Sequence, residues 1–150
     1  MKVNPVGKIL CKVERAYLAG LIDGDGAIMA CLERHQEKKF GFRVRLNVKL
    51  TFSRRSDADG IHKLLGVGYV RQNKRSYDWE TKDQMIIVAV IMALMPYFRL
   101  KKKQANIALQ IAKISVRSSY DLKRAAKLAD QLASFNLRSS SRRRNYASLI

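Results

Sequence analysis

A chain of 150 residues with 30 lysines and arginines against 12 aspartates and glutamates carries a formal charge of +18, spread along its length. A polyanion is therefore the natural partner. The length suits a single domain over residues 1–150, burying about 68–70% of the unfolded surface. Two cysteines, Cys11 and Cys31, make neither a disulfide framework nor a metal-ligand spacing, and with no signal-peptide core they predict a reduced, intracellular setting such as cytoplasm, nucleoid or organelle.

Residues 1–12 read as an N-terminal extension. From Ala16 to Asp23, residues placed every ~100° around a helix put Ala16, Ala19, Gly20 and Asp23 on one narrow stripe. So small a face lets two backbones approach closely. The chain holds a single copy of it, so the expected partner is a second chain across a twofold axis, giving a homodimer. Gly24 and Gly26 are expected to end the helix in left-handed caps, exposing carbonyls beside Asp23 and Asp25. Carboxylates at a helix C-terminus oppose the helix dipole. A hard divalent cation, which takes carboxylate and carbonyl oxygens, relieves that repulsion. Asp25 and the Gly24 carbonyl are the candidate metal ligands; Asp23 is a helix cap or a dimer contact.

Residues 42–52 alternate sharply, with Phe42, Val44, Leu46, Val48, Leu50 and Phe52 on one face and Arg43, Arg45, Asn47, Lys49 and Thr51 on the other, the pattern of a half-buried strand. Residues 27–37 are its predicted partner, exposing Met29, Cys31, Glu33 and His35. Residues 68–73 and 76–81 predict a hairpin around Lys74-Arg75. There Val70, Tyr77 and Trp79 face inward and Tyr69, Arg71, Asn73, Asp78 and Glu80 outward, with Arg75 at the turn. Ten strand residues span ~34 Å, about ten base steps. Arg and Lys bond guanine, Asn and Gln adenine, and Glu or Asp cytosine, so mixed charge suits a face that reads DNA. Two copies carry positive charge on the scale of the roughly 40 phosphates of about 20 base pairs.

Residues 85–95 are an apolar run too short to span a bilayer, so no membrane partner is expected. They predict a buried helix started by Thr81 or Asp83 with Gln84 and stopped near Pro96. Arg99, Lys101, Lys102 and Lys103 open a further helix with the apolar stripe Ile107, Ile111 and Ile114. Cations at a helix N-terminus are unfavourable by a few tenths to about 1 kcal/mol each, which predicts a bound anion there, a phosphate. After a helix at 120–135 comes a basic segment, about 138–150, with Ser139, Arg142 and Arg143. The whole predicts an α+β fold in the order αββαββα, followed by more helix.

Leu18-Ala19-Gly20-Leu21-Ile22-Asp23-Gly24-Asp25-Gly26 resembles the signature of the LAGLIDADG homing endonucleases, departing from it at Gly24. The segments Leu65-Gly66-Val67-Gly68-Tyr69-Val70-Arg71 and Pro96-Tyr97-Phe98-Arg99-Leu100-Lys101-Lys102-Lys103-Gln104-Ala105-Asn106 resemble the single-motif, intron-encoded branch in the same order, over roughly residues 14–146. The resemblance implies a curved antiparallel DNA-binding sheet lying in the major groove. It also implies metal-dependent hydrolysis of double-stranded DNA by a homodimer at a long pseudo-palindromic target, leaving 3′ overhangs. Mg²⁺ or Mn²⁺ is the implied cofactor, with Ca²⁺ binding without cleavage. By the same resemblance Lys101 is the active-site lysine, Arg54 a second helper, and a further basic helper falls near Ala58, its place vacant or filled by Arg55. Ser139, Arg142 and Arg143 would touch the DNA backbone. Two alternatives stand beside it: an RNA maturase acting on its host intron, and a nuclease-inactive DNA-binding protein. Asp25 and Lys101 together argue against the inactive form, because binding alone needs no carboxylate beside a phosphate.

Overall fold

The computed structural model describes residues 11–136 and 144–150. Helix α1 (Lys12–Asp25) runs without a loop into β1 (Gly26–Arg34), followed by β2 (Phe42–Phe52), α2 (Arg55–Leu65), β3 (Tyr69–Asn73), β4 (Ser76–Thr81), α3 (Gln84–Leu94), α4 (Lys102–Lys113) and α5 (Ser119–Phe135). The four strands form one antiparallel sheet in the order β1-β2-β4-β3. This is the expected αββαββα arrangement with two further helices. β1 pairs with β2 from Gly26 opposite Leu50 to Arg34 opposite Phe42, whereas β4 covers β2 only from Val48 to Phe52. The β1–β2 hairpin therefore projects beyond the four-stranded part.

Strand alternation divides the sheet into a dry face and a wet one. On the dry face Ile28, Leu46, Val48, Leu50 and Trp79 pack against Leu18, Ala19 and Ile22 of α1, Ile61 and Leu65 of α2, and Ile87, Val90, Ile91 and Leu94 of α3, with α4 and α5 closing the core. α3 starts on Asp83, whose side chain accepts from the N–H groups of Met85 and Ile86. α3 is not wholly enclosed: Met85 and Met92 are exposed. Trp79 is fully buried, and its indole N–H donates to Val67 O at 2.9 Å. Gly68 lies against that ring with φ +81, where a Cβ would come within 2.7 Å of the indole nitrogen. No described helix is long and apolar enough to cross a membrane.

Two local expectations are corrected. β1 stops at Arg34, not residue 37, because a turn begins at His35, whose N–H donates to Gly41 O, with Gly41 at φ +72. His35 is thus off the strand, and its Nδ1 is buried without a partner among the described residues. The glycines of the acidic motif are not left-handed caps. Gly24 lies within α1, and Gly26 is extended at φ −84, ψ 171. Gly26 is needed for another reason: a Cβ there would sit 2.7 Å from the Ile22 Cα.

Candidate nucleic-acid interface and metal site

The stripe of small residues on α1 splits once the helix is packed. Ala19 and Asp23 turn into the protomer, at 0% and 9% exposure, and neither offers surface to a second copy. This corrects their assignment to the dimer contact. Ala16 and Gly20 face outward, and Gly24 continues that exposed row. Asp25, at the last position of α1, is exposed, with no hydrogen-bond or ion-pair partner among the described residues.

Asp23 supplies the anion predicted for the basic helix start, in place of a phosphate. Its carboxylate accepts from the backbone N–H of Arg99 at 2.8 Å and of Lys101 at 3.0 Å. The Lys101 ammonium in turn donates to the Asp23 carbonyl at 2.7 Å. Lys101 is the N-cap residue of α4 and has no side-chain cap of its own, so a carboxylate far away in sequence takes the free donors of that helix end. The result is a fixed joint between α1 and α4. It holds Lys101 at the foot of the helix that carries Asp25. Beside it opens a cavity of about 490 Å³ lined by Gly24, Met29, Lys101, Gln104 and Asn136 among others. Gln104 and Asn136 carry no signal in the sequence, where nothing marks a lone amide as part of a site. Lys103 stands apart, its ammonium over the Phe135 ring, 5.4 Å from the centroid.

No three His, Cys, Asp or Glu side chains converge among the described residues. One protomer therefore offers a hard cation one unpartnered carboxylate, Asp25, and the neighbouring Gly24 carbonyl. That set fits a divalent ion only if oxygens from a second carboxylate and from phosphate complete it.

Arg54 precedes α2 as its exposed N-cap residue. It follows β2 closely, and Leu50 of β2 lies opposite Gly26, so Arg54 belongs to the same end of the sheet as the α1–β1 junction. Arg55 pairs with Asp59 at 3.7 Å on an exposed turn of α2. Ala58 is wholly buried in the core, so no basic side chain occupies that place.

The wet face carries the residues expected there, and the register brings them together. Met29, Cys31 and Glu33 lie opposite Asn47, Arg45 and Arg43; Lys49 and Thr51 lie opposite Glu80 and Asp78; Tyr69 and Arg71 lie opposite Glu80 and Asp78 from the other side. Asn73 pairs with Ser76 next to the Lys74-Arg75 turn, where Lys74 takes φ 56. Glu33 holds Arg43 at 2.5 Å and Arg45 at 3.4 Å. Asp78 and Glu80 are on this face as expected, but at 0% and 1% exposure they are buried beneath their neighbours. Asp78 accepts from Thr51 Oγ1 at 2.7 Å and Asn73 Nδ2 at 3.2 Å. Glu80 accepts from Tyr69 OH at 2.9 Å, Arg71 Nε at 2.8 Å and Asn47 Nδ2 at 3.2 Å. Burial first, and then the hydrogen bond to Glu80, raises the Tyr69 phenol above its ordinary range. Asn47 Oδ1 has no donor among the described residues.

The outer edge of β1 is held by two asparagines that no sequence pattern marks. Asn136, just after α5, donates to Ile28 O at 2.9 Å. Asn145 accepts from Leu32 N at 2.8 Å and is itself held by Asp130, through its backbone at 2.8 Å and its amide at 2.9 Å. The predicted backbone contacts Ser139, Arg142 and Arg143 lie outside the described residues.

A LAGLIDADG endonuclease family model matches residues 18–114. The chain belongs to the LAGLIDADG endonuclease family. It is similar to DNA endonuclease I-CreI of Chlamydomonas reinhardtii, 36% identical over 97 residues that cover 63% of this chain and 60% of that protein. It is also similar to DNA endonuclease I-CvuI of Chlorella vulgaris, 33% identical over 122 residues, 78% of this chain and 76% of the relative. A crystal structure of I-CvuI in complex with its target in the presence of Ca superposes with a TM-score of 0.84 at 27% identity, covering 91% and 90% of the two chains. An archaeal intron-encoded homing endonuclease, I-Vdi141I complexed with DNA, has the same fold at 20% identity, with a TM-score of 0.79 and 91% and 92% of the chains covered. Asp23, Asp25, Lys101 and the sheet through β4 all fall within the residues matched by the LAGLIDADG model.

Proposed function

We propose that this chain is a site-specific endonuclease that binds a long, near-palindromic DNA duplex as a homodimer and hydrolyses one phosphodiester in each strand, leaving 3′ overhangs. The observation that carries the reading is the contrast at the end of α1. Asp23 is consumed by the protein's own backbone, which also fixes Lys101, whereas Asp25 stands outward with no partner among the described residues. A bare carboxylate in a chain of charge +18 has no structural employment, and a divalent ion at a phosphodiester gives it one. The exposed row of Ala16, Gly20 and Gly24 is narrow enough for the same row of a second copy, which would bring two Asp25 carboxylates together at the twofold axis.

Asp25 would hold the ion with the Gly24 carbonyl, and Mg²⁺ or Mn²⁺ is the proposed cofactor, with Ca²⁺ permitting binding only. When bound, such an ion supplies Lewis acidity to the scissile phosphate and lowers the pKa of its water. Lys101 places a cation where negative charge grows on the phosphate, and its backbone and ammonium are both fixed by Asp23. Arg54 adds a second cation at that end of the sheet. The exposed outward residues of β1 to β4, the buried Asp78 and Glu80 excepted, read base edges in the major groove.

The test is cleavage selection on a randomised duplex library with Mg²⁺, followed by sequencing of the ends. Discrete staggered breaks at a near-twofold site are expected, and Asp25→Asn should keep duplex binding while losing cleavage. Breaks at the same site from the Asp25→Asn variant would remove the catalytic role.

A further inference from the structure

Asp78 and Glu80 do not fit the role of base acceptors. Each lies on the DNA-facing side of the sheet, yet each is almost completely covered. An ionised carboxylate is acceptor-only, and burying it is costly unless donors surround it. Here they do. Thr51 and Asn73 bond Asp78, with Lys49 and Arg71 at 4.0 and 3.8 Å, and Tyr69, Arg71 and Asn47 bond Glu80. A cytosine amino group would find these oxygens both covered and occupied.

The residues around them are affected in two ways. Six side chains at outward positions are oriented from below by two carboxylates, so the donors left for a base point in fixed directions. The outward strand positions also carry four cations, Arg43, Arg45, Lys49 and Arg71, against the three carboxylates Glu33, Asp78 and Glu80. This face is close to neutral on a protein of charge +18. Attraction to phosphate, which is blind to sequence, must then come mostly from elsewhere on the molecule.

We propose that Asp78 and Glu80 are positioning residues for specificity: buried beneath the reading face, they orient its donors and neutralise its cations so that the sheet discriminates between sequences. The proposal rests on the DNA-cleaving function argued above. Loss of Glu80's charge frees Arg71 for any phosphate and lets Asn47 and Tyr69 turn. Loss of Asp78's charge does the same for Lys49 and Asn73.

The experiment measures equilibrium binding, across a KCl series, to the duplex recovered by cleavage selection and to a scrambled duplex of equal length and composition. Glu80→Gln and Asp78→Asn should each lower the ratio of selected to scrambled affinity by about tenfold, on the scale of one good base contact. They should do so mainly by tightening scrambled binding, with the salt slope steeper by about one. Arg71→Gln keeps an amide N–H donor for the buried Glu80 carboxylate while removing the charge beside it. It should leave scrambled binding and its salt slope nearly unchanged, because the charge it removes is already neutralised. Added to Glu80→Gln, it should restore the shallow slope. Unchanged discrimination in both carboxylate variants overturns the proposal, and so does a slope reduced by about one in Arg71→Gln alone. That second arm decides the matter even if the buried substitutions prevent folding. Failure of the unaltered protein to prefer any selected duplex would instead overturn the function on which the proposal rests.

Discussion

The α1–β1 junction and the wet face of the sheet both hold buried carboxylates, but they use them in opposite ways. Asp23 is bonded by main-chain N–H groups, which cannot move without moving the turn before α4. Asp78 and Glu80 are bonded chiefly by side chains that have rotamers of their own. At the junction the backbone fixes the carboxylate; on the sheet the carboxylates fix the donors. One is part of the scaffold and the other sets what the scaffold presents, so changes in the two places should be read by different measurements.

The largest effects should come from the two aspartates at the junction, in different experiments. Asp25→Ala should reduce cleavage to background while changing unfolding free energy by less than about 0.5 kcal/mol, as expected of an exposed residue with no partner among the described residues. Asp23→Ala should cost about 2–4 kcal/mol, because two backbone N–H groups lose a charged acceptor at a half-buried helix start. Denaturant unfolding beside a cleavage assay separates the two. Equal destabilisation by both would erase the distinction.

Next come the glycines of the motif, whose roles the structure separates. Gly26→Ala should cost about 1–3 kcal/mol, since a Cβ would press on the Ile22 Cα at 2.7 Å. Gly24→Ala meets nothing within 4 Å and should stabilise the isolated chain by about 0.5–1 kcal/mol through lost unfolded-state freedom. For Gly20→Leu the position is exposed and its Cβ likewise meets nothing within 4 Å. It should leave the monomer folded but abolish association in sedimentation, because the bulk falls on the row proposed to meet a second copy. A dimer that survives Gly20→Leu would require a different contact.

Much of this is legible in the sequence, for reasons that differ from part to part. The alternation in residues 42–52 defines β2 to the residue, and of the two candidate starts of α3, Thr81 and Asp83, the second caps it; both signals are local. What stays hidden depends on register or on distant chain. No local pattern shows that Asp23 meets the backbone of Arg99 and Lys101, so the basic helix start by itself points to phosphate. Strand alternation places Asp78 and Glu80 on the correct face, but their burial follows from neighbours on both β2 and β3, which only pairing reveals. The stripe on α1 is real as a stripe. Which half of it faces the core depends on where the sheet and α4 lie.

The β1 edge offers a smaller effect. Asn145→Ala leaves Leu32 N without its acceptor and removes the side-chain amide that donates to Asp130. A loss of about 1–3 kcal/mol is expected from a buried group left unsatisfied. Hydrogen exchange should quicken at the Leu32 amide before it does at the amides of β4. Uniform exchange across both strands would show that the asparagine stabilises the whole sheet and not its edge.

The smallest effect distinguishes the sheet network by pH. The Tyr69 phenol is raised above its ordinary value of 10.0, through burial and then through its hydrogen bond to Glu80. Folding therefore favours the protonated phenol. The stabilisation is complete below pH 10 and is lost as pH rises through the higher folded-state value, because the unfolded chain then releases its proton more readily. Unfolding free energy followed from pH 9 upward should fall more steeply in the unaltered protein than in Tyr69→Phe. Junction variants should not change that difference, since the Asp23 carboxylate bonds the backbone of Arg99 and Lys101, which are not among the groups that shift the phenol. Parallel curves for the unaltered protein and Tyr69→Phe would mean that the phenol titrates alike in both states, and that Glu80 holds it too weakly to fix its direction.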